Sequence, residues 1–132
     1  MSGHHFRCEA GHTVIPIREW IRRNCKNGRE GLVVTDLDLV LRTFDPRLFG
    51  DEGEFRLCEH KSSLTLDLDV AQFKTFKMLD RICRRDPKYQ GFYLIRTRKD
   101  CFDLFDVNGE QMSPDRFQAW IEGHIMVQPF RF

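Results

Sequence analysis

The chain has 132 residues, of which 41% are hydrophobic and 31% are charged, and its formal net charge is +1. This balance is typical of a soluble globular protein, and the length predicts a single domain over residues 1–132. No apolar run approaches the roughly 18 residues that a membrane span needs, and residues 1–12 are too polar for a signal peptide. The composition therefore excludes a membrane-spanning class.

The first half of the chain predicts a helix followed by a long hairpin. Pro16 suits a first helical position, and the apolar residues after it predict a short amphipathic helix that ends near residues 27–28. Residues 32–44 and 55–62 are rich in apolar residues with polar side chains at alternate positions, which is typical of strands. Turn-forming residues lie between them, so we expect the two strands to pair as a β-hairpin.

The second half predicts two more helices and two more strands. Asp69 is a suitable N-cap for a helix over residues 70–85 that carries apolar side chains on one face. Residues 92–97 and 101–107 predict strands, and a last helix starts at residues 113–115 and ends at Gly123. The order α-β-β-α-β-β-α favours an α/β fold, with a central mixed β-sheet of four to five strands flanked by helices.

Charge is unevenly distributed along the chain. Acidic residues predominate in residues 36–69, whereas residues 17–30 and 81–99 are basic. An acidic centre between two basic stretches is what a cation site inside a phosphate-binding surface requires. The alternative is that these charges form the solvated faces of ordinary helices.

Charged side chains share one face of each hairpin strand. Period-two alternation places Asp36 and Asp38 on one face of the first strand, and Glu59 and Lys61 on one face of the second. Carboxylates among apolar strand residues are costly to bury unless they bind a partner or a cation. The pattern predicts a pocket of oxygen ligands suited to Mg²⁺ with a lysine beside it. Alternatively, these side chains line a solvent-exposed face and pair across the hairpin.

The pattern Asp38…Glu59-His60-Lys61, on a hairpin between two helices, resembles the D…(D/E)-x-K core of the PD-(D/E)XK nucleases. Restriction endonucleases, Holliday junction resolvases and RecB-type nuclease domains belong to that superfamily. The resemblance implies a restriction-endonuclease-like core of order α-β-β-β-α-β. The third strand of that core is expected within residues 63–68, where apolar and polar residues alternate.

The resemblance implies a metal-dependent mechanism. Asp38 and Glu59 would hold one or two Mg²⁺ (or Mn²⁺) ions, which polarise the scissile phosphate and lower the pKa of a bound water. Lys61 would support the attack on the phosphate. Gln72 matches the Gln-xxx-aromatic pattern that the RecB-type branch carries on the next helix, so it joins the predicted catalytic residues.

Further ligands and DNA contacts follow from the same resemblance. Asp36 would be an accessory metal ligand, and Glu19 occupies the first helix, where many members place a glutamate, although it falls opposite that helix's apolar stripe. Arginines would hold the DNA backbone without reading bases. The predicted backbone contacts are Arg18, Arg22, Arg23, Arg42, Arg84 and Arg85.

The implied function is a nuclease that acts on DNA in processing, recombination or repair, in a phage or prokaryotic setting. The five cysteines are odd in number and contain no CxxC pair, which favours a reducing, cytoplasmic location. Many relatives of this size act as dimers, so the resemblance also implies a homodimer. Its predicted partner is DNA, recognised by structure or backbone rather than by sequence.

Three alternatives remain open from the sequence. Residues 33–41 also resemble the DxDx(T/V)L signature of haloacid-dehalogenase-like phosphatases, in which Asp36 would be the nucleophile. A nuclease-like domain could also serve as a non-catalytic nucleic-acid-binding module. At the N-terminus, residues 1–12 are expected either to form a flexible tail or to supply zinc ligands from His4, His5, Cys8 and His12.

Overall fold

A computed structural model describes residues 17–26, 28–30, 32–33 and 35–132. The chain divides into two compact units, Met1–Asp36 and Leu37–Phe132. Within the first unit, helix α1 comprises Ile17–Asn24 and is followed by a single 3-10 turn, Gly28–Glu30. The predicted first helix is therefore confirmed. Among the described residues, none of the helices has the length and apolar character needed to cross a bilayer.

The second unit contains a five-stranded mixed sheet in the order β1-β2-β3-β4-β5. Strands β2 and β3 are parallel and the other neighbours are antiparallel. The strands and helices are β1 (Leu39–Thr43), β2 (Glu54–Lys61), α2 (Val70–Cys83), β3 (Tyr89–Arg98), β4 (Cys101–Val107), β5 (Glu110–Met112) and α3 (Pro114–Ile121). Helix α2 joins the two parallel strands, as a parallel connection requires. The α/β class and the mixed sheet of up to five strands are confirmed.

Period-two alternation along the central strands separates two hydrophobic cores. Cys58 and Tyr93 point to the face covered by α3, where Trp120 is the largest buried side chain. Leu57 and Phe92 point to the other face, where they pack against Phe76 of α2. Glu59 and Lys61 follow Leu57 at intervals of two residues, so they continue along the α2 face. The same alternation that builds the core thus directs these two charged groups toward α2.

The predicted strand over residues 32–44 is wrong in its first half, because the observed strand begins at Leu39. On the N-terminal side of Leu39, side-chain carboxylates rather than backbone carbonyl groups accept the hydrogen bonds of the backbone N–H groups. The Asp38 backbone N–H donates to Glu59 Oε1 at 3.3 Å, and the His60 N–H donates to Asp38 Oδ2 at 2.9 Å. Residues 35–38 are therefore not part of the sheet, and strand alternation does not place Asp36 on the same face as Asp38.

The prediction of a strand within residues 63–68 is also wrong. Residues 63–65 form a bend and a turn, and residues 66–68 have no regular secondary structure. Ser63 Oγ accepts from the Thr65 N–H at 3.3 Å, and Ser63 O accepts from the Leu66 N–H at 3.4 Å. A serine side chain that bonds the backbone two residues ahead competes with strand formation. The third strand implied by the nuclease resemblance is therefore not present between β2 and α2.

A tight turn at Asn108-Gly109 adds the unpredicted strand β5 and holds the C-terminal segment. Both residues have positive φ, 52° and 89°, as a hairpin turn of type I′ requires. The Asn108 side chain accepts from the Leu94 N–H at 2.7 Å and donates to Gln128 O at 2.8 Å. This one side-chain amide therefore links β3 to the C-terminal part of the chain at Gln128.

Gly91 gives a stability test of the β3 bulge. Phe55 pairs with Tyr89 but Leu57 pairs with Phe92, so β3 has one extra residue here. Gly91 has a φ of +120°, and a Cβ atom on it would lie 2.6 Å from Pro129 Cβ. We expect Gly91→Ala to lower the free energy of unfolding by about 1–3 kcal/mol from backbone strain, and further by displacing Pro129.

Urea denaturation of Gly91→Ala and Gly50→Ala measures this effect. Gly50 also has a positive φ, +81°, but its Cβ would meet no atom within 4 Å, so it reports the backbone strain alone. A larger loss for Gly91→Ala is expected from its less accessible φ of +120° and from the Pro129 contact together. Equal losses would show that the C-terminal segment does not depend on the bulge.

Candidate active site

Two carboxyl groups meet where the β1–β2 ladder ends. Leu39 pairs with Cys58 at the last position of the ladder, so Asp38 and Glu59 are the next residues outward. The Asp38 backbone N–H donates to Glu59 Oε1, and the Asp38 carboxylate accepts from the His60 N–H, so the two carboxyl groups lie side by side. Glu59 is only 4% exposed, whereas Asp38 lies at the surface. The pair thus joins a buried carboxyl group to one that solvent reaches.

Burial changes the acidity of Glu59. Burial, together with the neighbouring Asp38 carboxylate, raises the pKa of Glu59 to about 7, although the hydrogen bond from the Asp38 backbone N–H and the positive charge of Lys61 oppose the shift. A carboxyl group with this pKa holds a proton in an appreciable fraction of molecules at neutral pH. Glu59 therefore exchanges a proton with solvent near neutral pH, unlike an ordinary glutamate.

Gln72 links Glu59 to Lys61. Its Nε2 donates to Glu59 Oε2 at 2.8 Å, and its Oε1 accepts from Lys61 Nζ at 2.8 Å. This orientation of the amide follows from the partners, because an ammonium group can only donate and a carboxylate can only accept. The four residues predicted as catalytic, Asp38, Glu59, Lys61 and Gln72, therefore form one hydrogen-bonded chain.

The N-terminus of α2 fixes the position of Gln72. Asp69 is the N-cap, and its Oδ1 accepts from the Gln72 N–H at 2.7 Å. Gln72 Oε1 in turn accepts from the Asp69 N–H at 3.2 Å, which completes a capping box. Capping and site geometry thus depend on the same side chain.

Arg96 adjoins the site, and the sequence analysis did not identify it as a site residue. It is opposite Lys61 in the parallel β2–β3 ladder, and its side chain is 15% exposed. Its guanidinium donates to Leu66 O at 2.6 Å, to Asp106 Oδ1 at 3.4 Å and to Asp67. Alternation within residues 92–97 could have put Arg96 on the face of Phe92, but only the pairing of β2 with β3 brings it beside Lys61.

Two predicted metal ligands lie in the first unit. Glu19 forms ion pairs with Arg22 at 3.5 Å and Arg23 at 3.3 Å, and Asp36 is an exposed residue at the end of that unit. In the described part of the chain, no group of three or more His, Cys, Asp or Glu side chains is placed to share a metal ion. The assignments of Glu19 and Asp36 stay predictions. His4, His5, Cys8 and His12 lie outside the described residues.

The predicted DNA-contacting arginines are dispersed. The Arg42 guanidinium lies 5.0 Å from the centre of the Phe44 ring, and Arg84 pairs with Asp80 at 2.7 Å. Arg84 and the exposed Arg85 follow the C-terminal end of α2, about 18 Å along the helix axis from Gln72. Arg22 and Arg23 belong to the first unit, and the Arg18 side chain is outside the described part. Their roles in DNA binding stay predictions.

The pKa of Glu59 predicts a pH-dependent stability. Because its folded-state pKa is raised from 4.5 to about 7, the folded protein binds this proton more tightly than the unfolded chain. Its contribution to stability is full below about pH 4.5 and is lost as the pH rises through 7. We expect Glu59→Gln, which cannot ionise, to gain stability relative to the wild type over this range.

Urea denaturation between pH 5 and pH 8 tests this, with Glu110→Gln as the control. Glu110 is an exposed carboxylate paired with Arg116 at 3.0 Å. The difference between Glu59→Gln and wild type should grow with pH and level off above about pH 7. A difference that does not change with pH would show that Glu59 ionises in the same way in the folded and unfolded states.

Searches of protein-family models, curated proteins and solved structures found no match to this chain. The function of the hydrogen-bonded side chains of Asp38, Glu59, Gln72 and Lys61 is therefore inferred from their own geometry and chemistry.

Proposed function

We propose that this protein is a metal-dependent nuclease that hydrolyses phosphodiester bonds in DNA. The observation that supports it best is the buried Glu59, which is bonded to Asp38 and connected to Lys61 through Gln72. A buried carboxyl group beside a second carboxyl group is unfavourable unless a proton or a cation balances the charge. A divalent cation in place of a proton would relieve this charge repulsion.

The donor set fits Mg²⁺ or Mn²⁺. These ions prefer oxygen ligands, and Mg²⁺ is often held by one or two carboxylates while waters and substrate phosphates complete its coordination. Asp38 and Glu59 would hold the ion in this way, with Asp36 and Glu19 as the further ligands that the sequence predicts. When bound, the ion supplies Lewis-acid polarisation of a phosphoryl oxygen.

Lys61 and Gln72 have separate tasks in this proposal. An ammonium group has three donors, and Gln72 Oε1 accepts one of them. The remaining donors of Lys61 can stabilise the negative charge that develops on a phosphate during attack. Gln72 is a positioning residue, because it holds both Lys61 and Glu59 while it is itself fixed by the capping box of α2.

The fold supports the restriction-endonuclease-like part of the proposal to a limited extent. The hairpin of β1 and β2, the helix α2 and the strand β3 follow one another in the order of that core. The departure is the missing third strand, because residues 63–68 form a turn followed by irregular structure. The proposal also includes the cytoplasmic setting and the homodimer that the sequence analysis predicts.

Cleavage of labelled DNA tests the nuclease proposal. We expect cleavage of single-stranded, duplex or branched DNA with Mg²⁺ or Mn²⁺ and none with EDTA. Asp38→Asn and Lys61→Met should each lower the rate roughly 10²- to 10³-fold, as loss of a charge-stabilising group does at other sites. Lys99→Met, at an exposed turn residue, is the matched control and should cleave like wild type.

Other outcomes would assign a different function. Turnover of a phosphatase substrate that is lost in Asp36→Asn, without cleavage of DNA, would favour the phosphatase alternative. Binding of DNA without turnover of any substrate would indicate a non-catalytic module.

Metal binding can be measured apart from catalysis. Because a metal ion and a proton compete for Glu59, Mn²⁺ or Mg²⁺ should raise Tm at pH 8 and raise it much less at pH 5.5. At a metal concentration about 100 times Kd, the expected stabilisation is about 2.7 kcal/mol. Glu59→Gln should reduce this shift at pH 8, whereas Glu110→Gln should not. An identical metal response in all three proteins would contradict a metal site at Glu59.

A further inference from the structure

A groove of about 800 Å³ lies between α2 and the C-terminal segment, residues 128–132. We call it the α2–tail groove. Its walls are rich in positive charge, since five of its lining side chains are basic. These are Lys74, Lys77, Arg81, Arg84 and Arg131. Asp80, an acidic residue in the same lining, is already occupied, because its carboxylate accepts from Arg84 and from the Tyr89 hydroxyl, each at 2.7 Å.

Most of this charge is not neutralised within the protein. Among the described residues, no carboxylate lies within ion-pair distance of Lys74, Lys77, Arg81 or Arg131. Many other cations of the chain are paired. The paired arginines outside the groove are Arg22, Arg23, Arg47, Arg96, Arg98 and Arg116. Four positive charges without an ion pair among the described residues therefore line the same groove.

The basic side chains of α2 form one stripe. They occur at positions 74, 77, 81 and 84, and intervals of three and four residues keep side chains on one side of a helix. The stripe is about 15 Å long, since it spans ten residues at 1.5 Å each. Like charges at these spacings repel one another. A linear anion that follows the helix would relieve that repulsion.

The floor of the groove is apolar and partly aromatic. Phe130 and Phe132 are only partly buried, and Met78 is 46% exposed. The Phe130 N–H donates to Phe92 O at 2.8 Å, and the Phe132 ring packs at 5.2 Å from the Phe92 ring, so the segment is attached to the sheet. Aromatic rings beside a row of cations are what single-stranded nucleic acid requires, since its bases stack while its phosphates bind the cations.

We propose that the α2–tail groove binds single-stranded nucleic acid, with phosphates on the α2 stripe and bases against the aromatic floor. A duplex keeps its bases stacked inside, so it could use the stripe but not the floor. The groove is distinct from the candidate active site, because Gln72 and Lys74 project about 200° apart around α2. The binding requires neither a metal ion nor Lys61, and so does not depend on the nuclease proposal.

Fluorescence anisotropy of a short labelled oligothymidine, in EDTA and over a range of salt concentrations, tests this proposal. The test variant is Lys77→Gln/Arg81→Gln, and the matched control is Lys26→Gln/Lys99→Gln, which removes two exposed cations elsewhere. We expect the test variant to bind at least tenfold more weakly than wild type. Its slope of log K against log salt should fall by about 1.4, as expected for two lost contacts to a single strand.

Competition with unlabelled ligands identifies the class of ligand that the α2–tail groove binds. A duplex oligonucleotide, polyglutamate and vesicles of anionic lipid are added separately as unlabelled competitors, and an unlabelled single strand should displace the probe best. The proposal is overturned if the control variant loses as much affinity as the test variant, or if polyglutamate, vesicles or duplex compete as well as the single strand. It is also overturned if wild type does not bind the probe. Thermal melting checks that both variants remain folded. We expect this result because all four side chains are exposed.

Discussion

Glu59 is buried to 4% exposure at the end of β2, directly beside the carboxylate of Asp38. Such a group must be satisfied by neighbours, and the local structure supplies them. The β1–β2 ladder ends there because carboxylate oxygens accept the backbone N–H groups of Asp38 and His60. The helix that follows then provides Gln72, which bonds both Glu59 and Lys61. The same electrostatic constraint raises the pKa of Glu59, and in the proposed function a divalent cation would take the place of its proton.

Helix α2 connects this constraint to the rest of the second unit. Its buried side fills one core, where Phe76 stacks on Phe92 with ring centres 4.9 Å apart. Its first turn holds Gln72 through the capping box of Asp69. Its outer side carries the row of basic side chains that faces the C-terminal segment. Any displacement of α2 would therefore alter the core, the candidate active site and the α2–tail groove together, so one helix supports both proposed functions.

The sequence by itself determined the helices, most strands and the face on which the charged residues lie. Strand period two put Glu59 and Lys61 on the same face as Leu57, because each residue follows Leu57 at an even interval. Local sequence signals were also sufficient to predict a helix cap, because a cap depends on residues that are close in the sequence. Asp69 was recognised as an N-cap, since the signal is complete within a few residues.

Only the tertiary structure decided which distant groups meet. The start of β1 depends on hydrogen bonds between residues more than 20 positions apart, so alternation alone extended the strand too far. Arg96 lies beside Lys61 only because β3 pairs in parallel with β2. The α2–tail groove exists because Asn108 and Phe92 attach the C-terminal segment to the sheet. A pattern of residues determines local conformation and the face of a strand on which a side chain lies. The pairing of residues distant in sequence depends on the packing of the whole unit.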